Sequence, residues 1–216
     1  MRKPVPVHEA YGSWAASYDS DVNLTRDLDA ELLREADLQL DGAFVVEFGA
    51  GTGKNTAYLA TRASRIIALD FSAGMLERAR ARIPHGLVQF VEHDITRTWP
   101  IADGVADIVV GNLVLEHIAD LTPVFSEARR VLRSGGVLYI CELHPYRQLR
   151  GTAARFDNQS GAFLIEAYVH MTAEYVRAGL AAGFEIATMQ EPMDKASDGE
   201  TIPQSPRLLQ ITFRTR

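Results

Sequence analysis

The run Val45-Val46-Glu47-Phe48-Gly49-Ala50-Gly51-Thr52-Gly53 constrains this chain more than any other stretch. A short apolar strand carrying one acid runs into a turn with glycine at every second position, directly before a helix that begins around Asn55. Glycines so spaced let the backbone turn sharply and pass close to a ligand with no Cβ in the way, and a helix start presents N–H groups that its own carbonyls leave unpaired. The pattern predicts a nucleotide-type binding edge. Two phosphate-reading motifs are excluded residue by residue. The dinucleotide fingerprint G-x-G-x-x-G needs glycine where Lys54 stands, and the phosphate-binding loop of nucleotide triphosphatases needs glycine at Phe48 and Ser or Thr at Asn55.

Downstream, apolar runs alternate with helical patterns, which is the sequence form of an α/β, doubly wound, mostly parallel sheet. Ile66-Ile67-Ala68-Leu69-Asp70 reads as a second strand. Ser72 caps a helix whose Met75, Leu76, Ala79 and Ile83 share a face before Pro84 ends it. Residues 87–93 read as a third strand and 105–111 as a fourth, nearly all apolar as a strand covered on both faces should be. Thr122 is the expected N-cap of the next helix, with Pro123 at its first position, and Gly135-Gly136 stops it before a fifth strand at 137–142. From 143 to 170 the period is lost among aromatics and Arg147, Arg150 and Arg155, as in an inserted lid. A helix at 172–183 and two alternating strands, around Phe184 and Leu209, then close the sheet, with an exposed loop at 191–206 between them. Before Asp41 the spacing of Leu24, Leu28, Leu32 and Leu33 predicts a helix with one apolar face.

With 216 residues, 47% of them hydrophobic, the chain has material for a core of one domain. A net charge of -6 disfavours a nucleic-acid partner, whose affinity would come from clustered Lys and Arg. The lone cysteine, Cys141, lies in an apolar run and suits a reducing compartment. No segment approaches the roughly 20 apolar residues of a membrane span, and Met1-Arg2-Lys3 is not followed by a signal-length apolar stretch. A cytoplasmic protein acting on a small molecule is expected, and a homodimer is left open.

Five segments in order, Glu47 with its glycines, Asp70-Phe71, Glu92-His93-Asp94-Ile95, Asn112-Leu113-Val114-Leu115-Glu116-His117-Ile118, and Arg130-Val131-Leu132-Arg133-Ser134-Gly135-Gly136, resemble the motifs of class I S-adenosylmethionine-dependent methyltransferases. Their spacing is most similar to the small-molecule branch that includes ubiquinone/menaquinone and malonyl-carrier-protein methyltransferases. The resemblance is strong over residues 8–142 and weaker to the end. It implies a Rossmann-like seven-stranded sheet with an antiparallel C-terminal hairpin in a single domain, 1–216. Within it, 1–40 would be an N-terminal helical cover, 41–142 the cofactor-binding core, 143–170 a substrate-side insertion, and 171–216 the C-terminal helix and hairpin.

The cofactor so implied is S-adenosyl-L-methionine, with S-adenosyl-L-homocysteine as product. Asp70 would accept both ribose hydroxyls, about 20 residues after the glycine turn as that geometry requires. By the same resemblance Phe71 and Met75 line the adenine side, Asp94 accepts from the adenine amino group, and Ile95 packs on the ring. Glu47 and the backbone of Gly49, Gly51 and Gly53 face the methionine end, with Asn112 and Leu113 approaching from strand four. Tyr11 and Tyr18, seven apart in an aromatic helix, would close over the cofactor. An acceptor that is a hydroxyl or an acidic carbon needs a base. His144, leaving the fifth strand toward the crevice, is the first candidate and His117 the second. Tyr168 and His170 could reach the pocket, while His8, His85 and His93 read as structural. No metal is expected, because no histidines or cysteines have ligand spacing. A non-catalytic S-adenosylmethionine-binding module is the alternative function, and a nicotinamide-dependent oxidoreductase is disfavoured by Lys54.

Overall fold

The computed structural model describes residues 23–83, 86–152, 155–158, 161–194 and 205–216. Tyr11 and Tyr18 lie outside these residues. In chain order the elements are α1 (Leu24–Glu35), β1 (Phe44–Phe48), α2 (Lys54–Leu59), β2 (Arg65–Asp70), α3 (Ala73–Arg82), β3 (Val88–Glu92) and β4 (Ala106–Asn112). A 3-10 turn (Leu115–His117) precedes α4 (Thr122–Val131), β5 (Leu132–Leu143), α5 (Pro145–Leu149), β6 (Arg155–Asn158), β7 (Gly161–Leu164), α6 (Thr172–Ala181), β8 (Phe184–Gln190) and β9 (Leu208–Thr215).

Seven strands form one sheet in the order β3-β2-β1-β4-β5-β9-β8, with β6 and β7 a separate two-stranded ladder. The first five strands are parallel, and β9 and β8 add antiparallel, which is the expected doubly wound sheet with its closing hairpin. Because β1 pairs with β2 on one side and β4 on the other, chain order reverses there, and a crevice opens at the carboxyl ends of these strands. Alternate residues of the strands feed two buried layers. One packs Val109, Leu138, Ile140 and Phe213 against α4 and α6, with Phe125 and Phe213 edge to face at 5.8 Å. The other packs Val45, Ile66, Ile108 and Tyr139 with Leu33 of α1 and Leu59 of α2.

Local chemistry explains the helix ends. Asn23 caps α1, its side-chain oxygen accepting the N–H groups of Thr25 and Arg26 at 3.0 Å each. Ser72 caps α3 as expected, accepting from Met75 N–H at 3.3 Å. Thr122 is not the cap of α4 but its first residue. The N-cap position falls on Leu121, whose side chain makes no capping bond, and Asp120 accepts the Thr122 N–H at 2.9 Å. Strand five also begins earlier than expected. Leu132 pairs with Ala106, and the residues around Gly135, at φ 74°, loop out before Val137 pairs with Ile108.

The leucine face of α1 is only partly the buried one. Leu24 is exposed, Leu28 and Leu32 are half-buried, and Asp29, Ala30 and Leu33 point inward. Within the insertion the described residues form a short helix, α5, and the β6–β7 ladder.

One close approach in the sheet sets a limit on substitution. A Cβ on Gly111 of β4 would lie 1.9 Å from the Phe48 ring of β1, inside the buried layer. Gly111→Ala is expected to destabilise the protein by about 3 kcal/mol through overpacking, and adding Phe48→Leu should recover part of that loss. Urea-denaturation midpoints of the two variants check this; an unperturbed midpoint for Gly111→Ala would mean the ring has room to move.

Candidate functional site

The glycine turn is shaped by what packs on it. Gly49 has φ 69°, and a Cβ there would meet the Val114 side chain at 2.6 Å; Gly53 has φ 78°, and its Cβ would press on Ala79 of α3 at 3.0 Å. Neither position tolerates a side chain without displacing a neighbour. The turn is tied to β2 by a carboxylate. Asp70 Oδ2 accepts the Gly51 N–H at 2.8 Å and Oδ1 accepts the Ser72 N–H at 2.8 Å. Each oxygen keeps a further lone pair, so two more donors can be received on its other edge.

Three carboxylates gather here. Glu47 Oε2 accepts the Thr56 hydroxyl at 2.6 Å. Asp29, from α1, accepts the side-chain amide of Asn55 at 3.0 Å and that of Asn112 through a short contact. All three are buried. Burial pushes the carboxyls of Asp29 and Asp70 up from their ordinary range, against the pull of their hydrogen bonds. Glu47 is pushed up to about 8, chiefly by burial and further by the neighbouring charges of Asp29 and Asp70, with the Thr56 bond opposing. Such a crevice is electrostatically prepared for a cation.

Asn112 ends β4 with its side-chain oxygen buried and unpartnered. Leu113 follows in the left-handed region at φ 53°, unusual for a branched residue, and donates its N–H to Cys141 at 2.9 Å. Glu47, Gly49, Gly51, Gly53, Asp70, Asn112 and Leu113 are thus brought to one edge of β1, β2 and β4. Met75 lies fully buried in the first turn of α3 beside this edge, and Phe71 is half-buried after Asp70. Asp94 closes the turn after β3, its Oδ1 accepting from the Thr96 N–H at 3.0 Å and hydroxyl at 2.7 Å, with Arg97 at 3.3 Å. Ile95 is buried in the layer that holds Trp99, whose indole N–H donates to the Ile95 carbonyl at 2.9 Å.

The histidines are engaged by the insertion. His144 caps α5, its Nδ1 accepting the Tyr146 N–H at 3.1 Å while Nε2 lies 3.1 Å from Glu191 Oε1. The Nδ1 contact places the proton of a neutral ring on Nε2. His117 Nδ1 is 2.8 Å from the Glu166 carbonyl, and Nε2 is 3.9 Å from Glu116 Oε1. His170 Nε2 is 2.7 Å from the Ile118 carbonyl. Arg147 is paired with Asp194, which also holds Arg207, and Arg207 reaches the Thr25 hydroxyl of α1 at 2.8 Å. Arg150 lies over the Tyr146 ring at 5.8 Å. Among the described residues no group of three or more His, Cys, Asp or Glu could hold a metal ion, and no helix is long and apolar enough to cross a membrane.

Two site residues escape sequence reasoning. Asp29 sits on a helix whose leucine spacing draws attention elsewhere, and its partners are 26 and 83 residues away. Glu142 accepts the N–H groups of Val114 and Leu115 from the end of β5. The signal for Glu142 was an acid directly after the apolar run Val137–Cys141, a placement that a strand buried on both faces does not otherwise favour.

A family model described as a methyltransferase domain matches residues 46–140. The chain is 34% identical over 186 residues to the biotin biosynthesis bifunctional protein BioHC of Cellvibrio japonicus, covering 85% of this chain and 35% of that protein. It is 33% identical to a malonyl-[acyl-carrier protein] O-methyltransferase of Xylella fastidiosa, covering 63% of this chain and 48% of that one. It thus spans between a third and half of the length of these two relatives. An uncharacterized methyltransferase of Emericella nidulans is 30% identical over 223 residues, covering 86% of this chain and 78% of the relative. Among solved structures, the DhpI-SAM-HEP complex superposes with a TM-score of 0.72 at 26% identity, covering 95% of this chain and 94% of that one.

The electrostatics of Glu47 predict a pH dependence. Its carboxyl titrates near 4.5 when exposed and near 8 when folded, so its contribution to stability is full below about 4.5 and is lost as the pH rises through about 8. The free protein should therefore weaken across that window, and Glu47→Gln should weaken less steeply. Denaturation midpoints measured through the window check this, and an identical slope in the variant would remove Glu47 as a source of it.

Proposed function

Because the chain belongs to the S-adenosylmethionine-dependent methyltransferases, we propose that it transfers the sulfonium methyl group of S-adenosylmethionine to a small-molecule acceptor, releasing S-adenosylhomocysteine. The observation that carries this reading is Asp70, buried at the end of β2 and fixed by the N–H groups of Gly51 and Ser72, with one edge of its carboxylate left to receive the two ribose hydroxyls. Glu47, Asn112, Leu113 and the backbone of Gly49 take the amino-acid end, while Phe71, Met75, Asp94 and Ile95 form the adenine side. For Asp94 this role means accepting the adenine amino group while it also holds Thr96. The sequence resemblance assigns Tyr11 and Tyr18, which lie outside the described residues, to the cover of the cofactor. Asp29 joins Glu47 and Asp70 as carboxyls facing a donor that carries a sulfonium and an ammonium against one carboxylate, and the donor's net positive charge favours their ionised forms.

When bound, the sulfonium supplies the activated methyl carbon. The chain's own residues align the partners, and alignment alone is worth about 7 to 11 kcal/mol for well-oriented reactants. A small molecule as acceptor is supported by the acidic balance of the chain, by the absence from the strand-four exit of the Asn-Pro-Pro-aromatic sequence of base-amine methyltransferases, and by the carrier-bound malonyl group named for one relative. Cys141, buried and unpaired, accords with a cytoplasmic setting. For an acceptor that must lose a proton, His144 is the base we propose, taking that proton on Nδ1 once the Tyr146 N–H releases it, since Nε2 already carries the neutral ring's proton toward Glu191.

Two outcomes are expected. Asp70→Ala should weaken S-adenosylhomocysteine binding about tenfold or more by calorimetry, since each lost charged hydrogen bond is worth roughly 1.5 to 3 kcal/mol. With methyl-tritiated donor and a metabolite panel, label should move to an acceptor. Tight donor binding with no transfer across the panel would favour a non-catalytic module, and stabilisation by NADH but not by S-adenosylhomocysteine would sink the assignment. For the base, His144→Ala should lower turnover far more than donor affinity and also cost about 1 kcal/mol of stability as a lost helix cap. His144→Asn keeps a capping side chain, so it should restore the stability and not the turnover; near-normal turnover in either variant would take His144 out of the chemistry.

A further inference from the structure

Glu142 is a buried acid that no step above uses. It ends the apolar run of β5 with 1% of its surface exposed. Its Oε1 accepts the N–H groups of Val114 at 3.2 Å and Leu115 at 3.1 Å, and its Oε2 has no partner. Burying a carboxyl with one oxygen unmatched is costly, so the bonds it does make hold something that would not hold itself. What they hold is the exit from β4, where Leu113 is forced into the left-handed region and the next two amides would otherwise lack acceptors.

Two parts of the site are built on that turn. On the donor side, the Val114 side chain occupies the space above Gly49, so the position of Val114 fixes how the first glycine of the turn is packed. On the acceptor side, the residues that follow carry the insertion. The Glu116 carbonyl accepts the Tyr168 N–H at 2.7 Å, the Glu116 carboxylate accepts the Gln148 amide of α5 at 2.9 Å, and His117 and His170 meet carbonyls across the same seam.

We infer that Glu142 is a positioning residue for methyl transfer, which sets the donor loop and the acceptor-side insertion in register with each other through the strand-four exit turn. Its consequence for catalysis rests on the methyl-transfer reading; the contact itself does not. Glu142 touches neither the donor site residues nor the insertion directly. It acts through Val114 and Leu115, and those amides are where its effect is first read.

The test compares Glu142→Gln, which keeps a side-chain carbonyl at the same reach, with Glu142→Asp, which keeps the carboxyl but is one methylene too short. Amide hydrogen exchange at Val114 and Leu115 is read alongside calorimetric affinity for S-adenosylhomocysteine and for adenosine, which lacks the amino-acid tail that Gly49 faces. Glu142→Gln should preserve the protection of both amides and hold both affinities within about threefold. Glu142→Asp should lose that protection and weaken S-adenosylhomocysteine about tenfold, while adenosine changes by less than about threefold. Unchanged protection in Glu142→Asp, or an equal loss of both ligands, would overturn the proposal, because a purely structural role gives no split between them. If Glu142→Asp fails to fold, Val114→Ala reads the donor arm alone: it should weaken S-adenosylhomocysteine more than adenosine, and equal effects overturn the donor arm. A wild-type protein that binds neither ligand overturns the donor assignment, while the exchange comparison still decides whether Glu142 holds the turn.

Discussion

The bond from the Gly51 amide to the Asp70 carboxylate is the constraint on which the site depends. It joins the turn after β1 to the end of β2, two segments that parallel pairing brings side by side but does not by itself hold at a fixed height. With Ser72 donating to the other oxygen, the carboxylate has one orientation rather than several. A side chain fixed in this way has lost its rotamer entropy before any ligand arrives, so hydrogen bonds formed on its free edge are not offset by that loss. The same bond explains why the turn accepts glycine at 49 and 53. A loop drawn down to a neighbouring strand end passes within contact distance of Val114 and α3, and a Cβ would hold it off.

The crevice that results is unfavourable to the free chain. Asp29, Glu47 and Asp70 are each buried, each raised from its ordinary range, and near enough that Glu47 feels both of the others. Burial costs each of them, and the hydrogen bonds they accept offset only part of that cost. Acids placed against the interest of stability are what a cation-binding edge requires, and the neighbouring polar groups, Thr56, Asn55 and Asn112, supply hydrogen bonds without supplying a compensating charge. Lys54 is the nearby cation, and it is drawn to Asp27 on the exposed side of α1. Stability and binding thus pull in opposite directions at this edge, as they do at many sites that hold strain or unpaired charge.

The sheet was legible in the sequence because its signal is local. A strand covered on both faces is a short apolar run, and Ile66–Asp70 and Ile108–Gly111 carry that mark without reference to anything distant. The glycine turn and Asp70 were legible for the same reason. What was not legible depends on partners far along the chain. Asp29 meets Asn112 across 83 residues, Arg147 meets Asp194 across 47, and Arg207 meets Thr25 across 182. Nothing in the local sequence around Arg147 marks it as half of an internal ion pair, yet Asp194 takes it up and so pins the segment after β8. The same limit applies to the start of α4, where only the backbone path decides that Leu121 is the cap and that Asp120 receives the first amide. The Tyr11 and Tyr18 contacts lie outside the described residues and stay with the sequence reading.

The connections of the insertion bear on how an active site of this kind is assembled. Its segments approach the strand-four exit by backbone and side-chain hydrogen bonds rather than by a large apolar interface, and several apolar side chains nearby, Tyr146, Leu149, Tyr168, Val169 and Met171, are exposed. Along that seam the described residues leave these side chains to solvent, whereas the central strands of the sheet beneath are buried on both faces. The donor side is different, since its loop is clasped between Val114, Ala79 and Asp70. Close packing therefore holds the donor side, while hydrogen bonds along a partly exposed seam hold the described residues of the insertion. The exit of β4 is the boundary between the two regimes, and Glu142 beneath it belongs to the closely packed one.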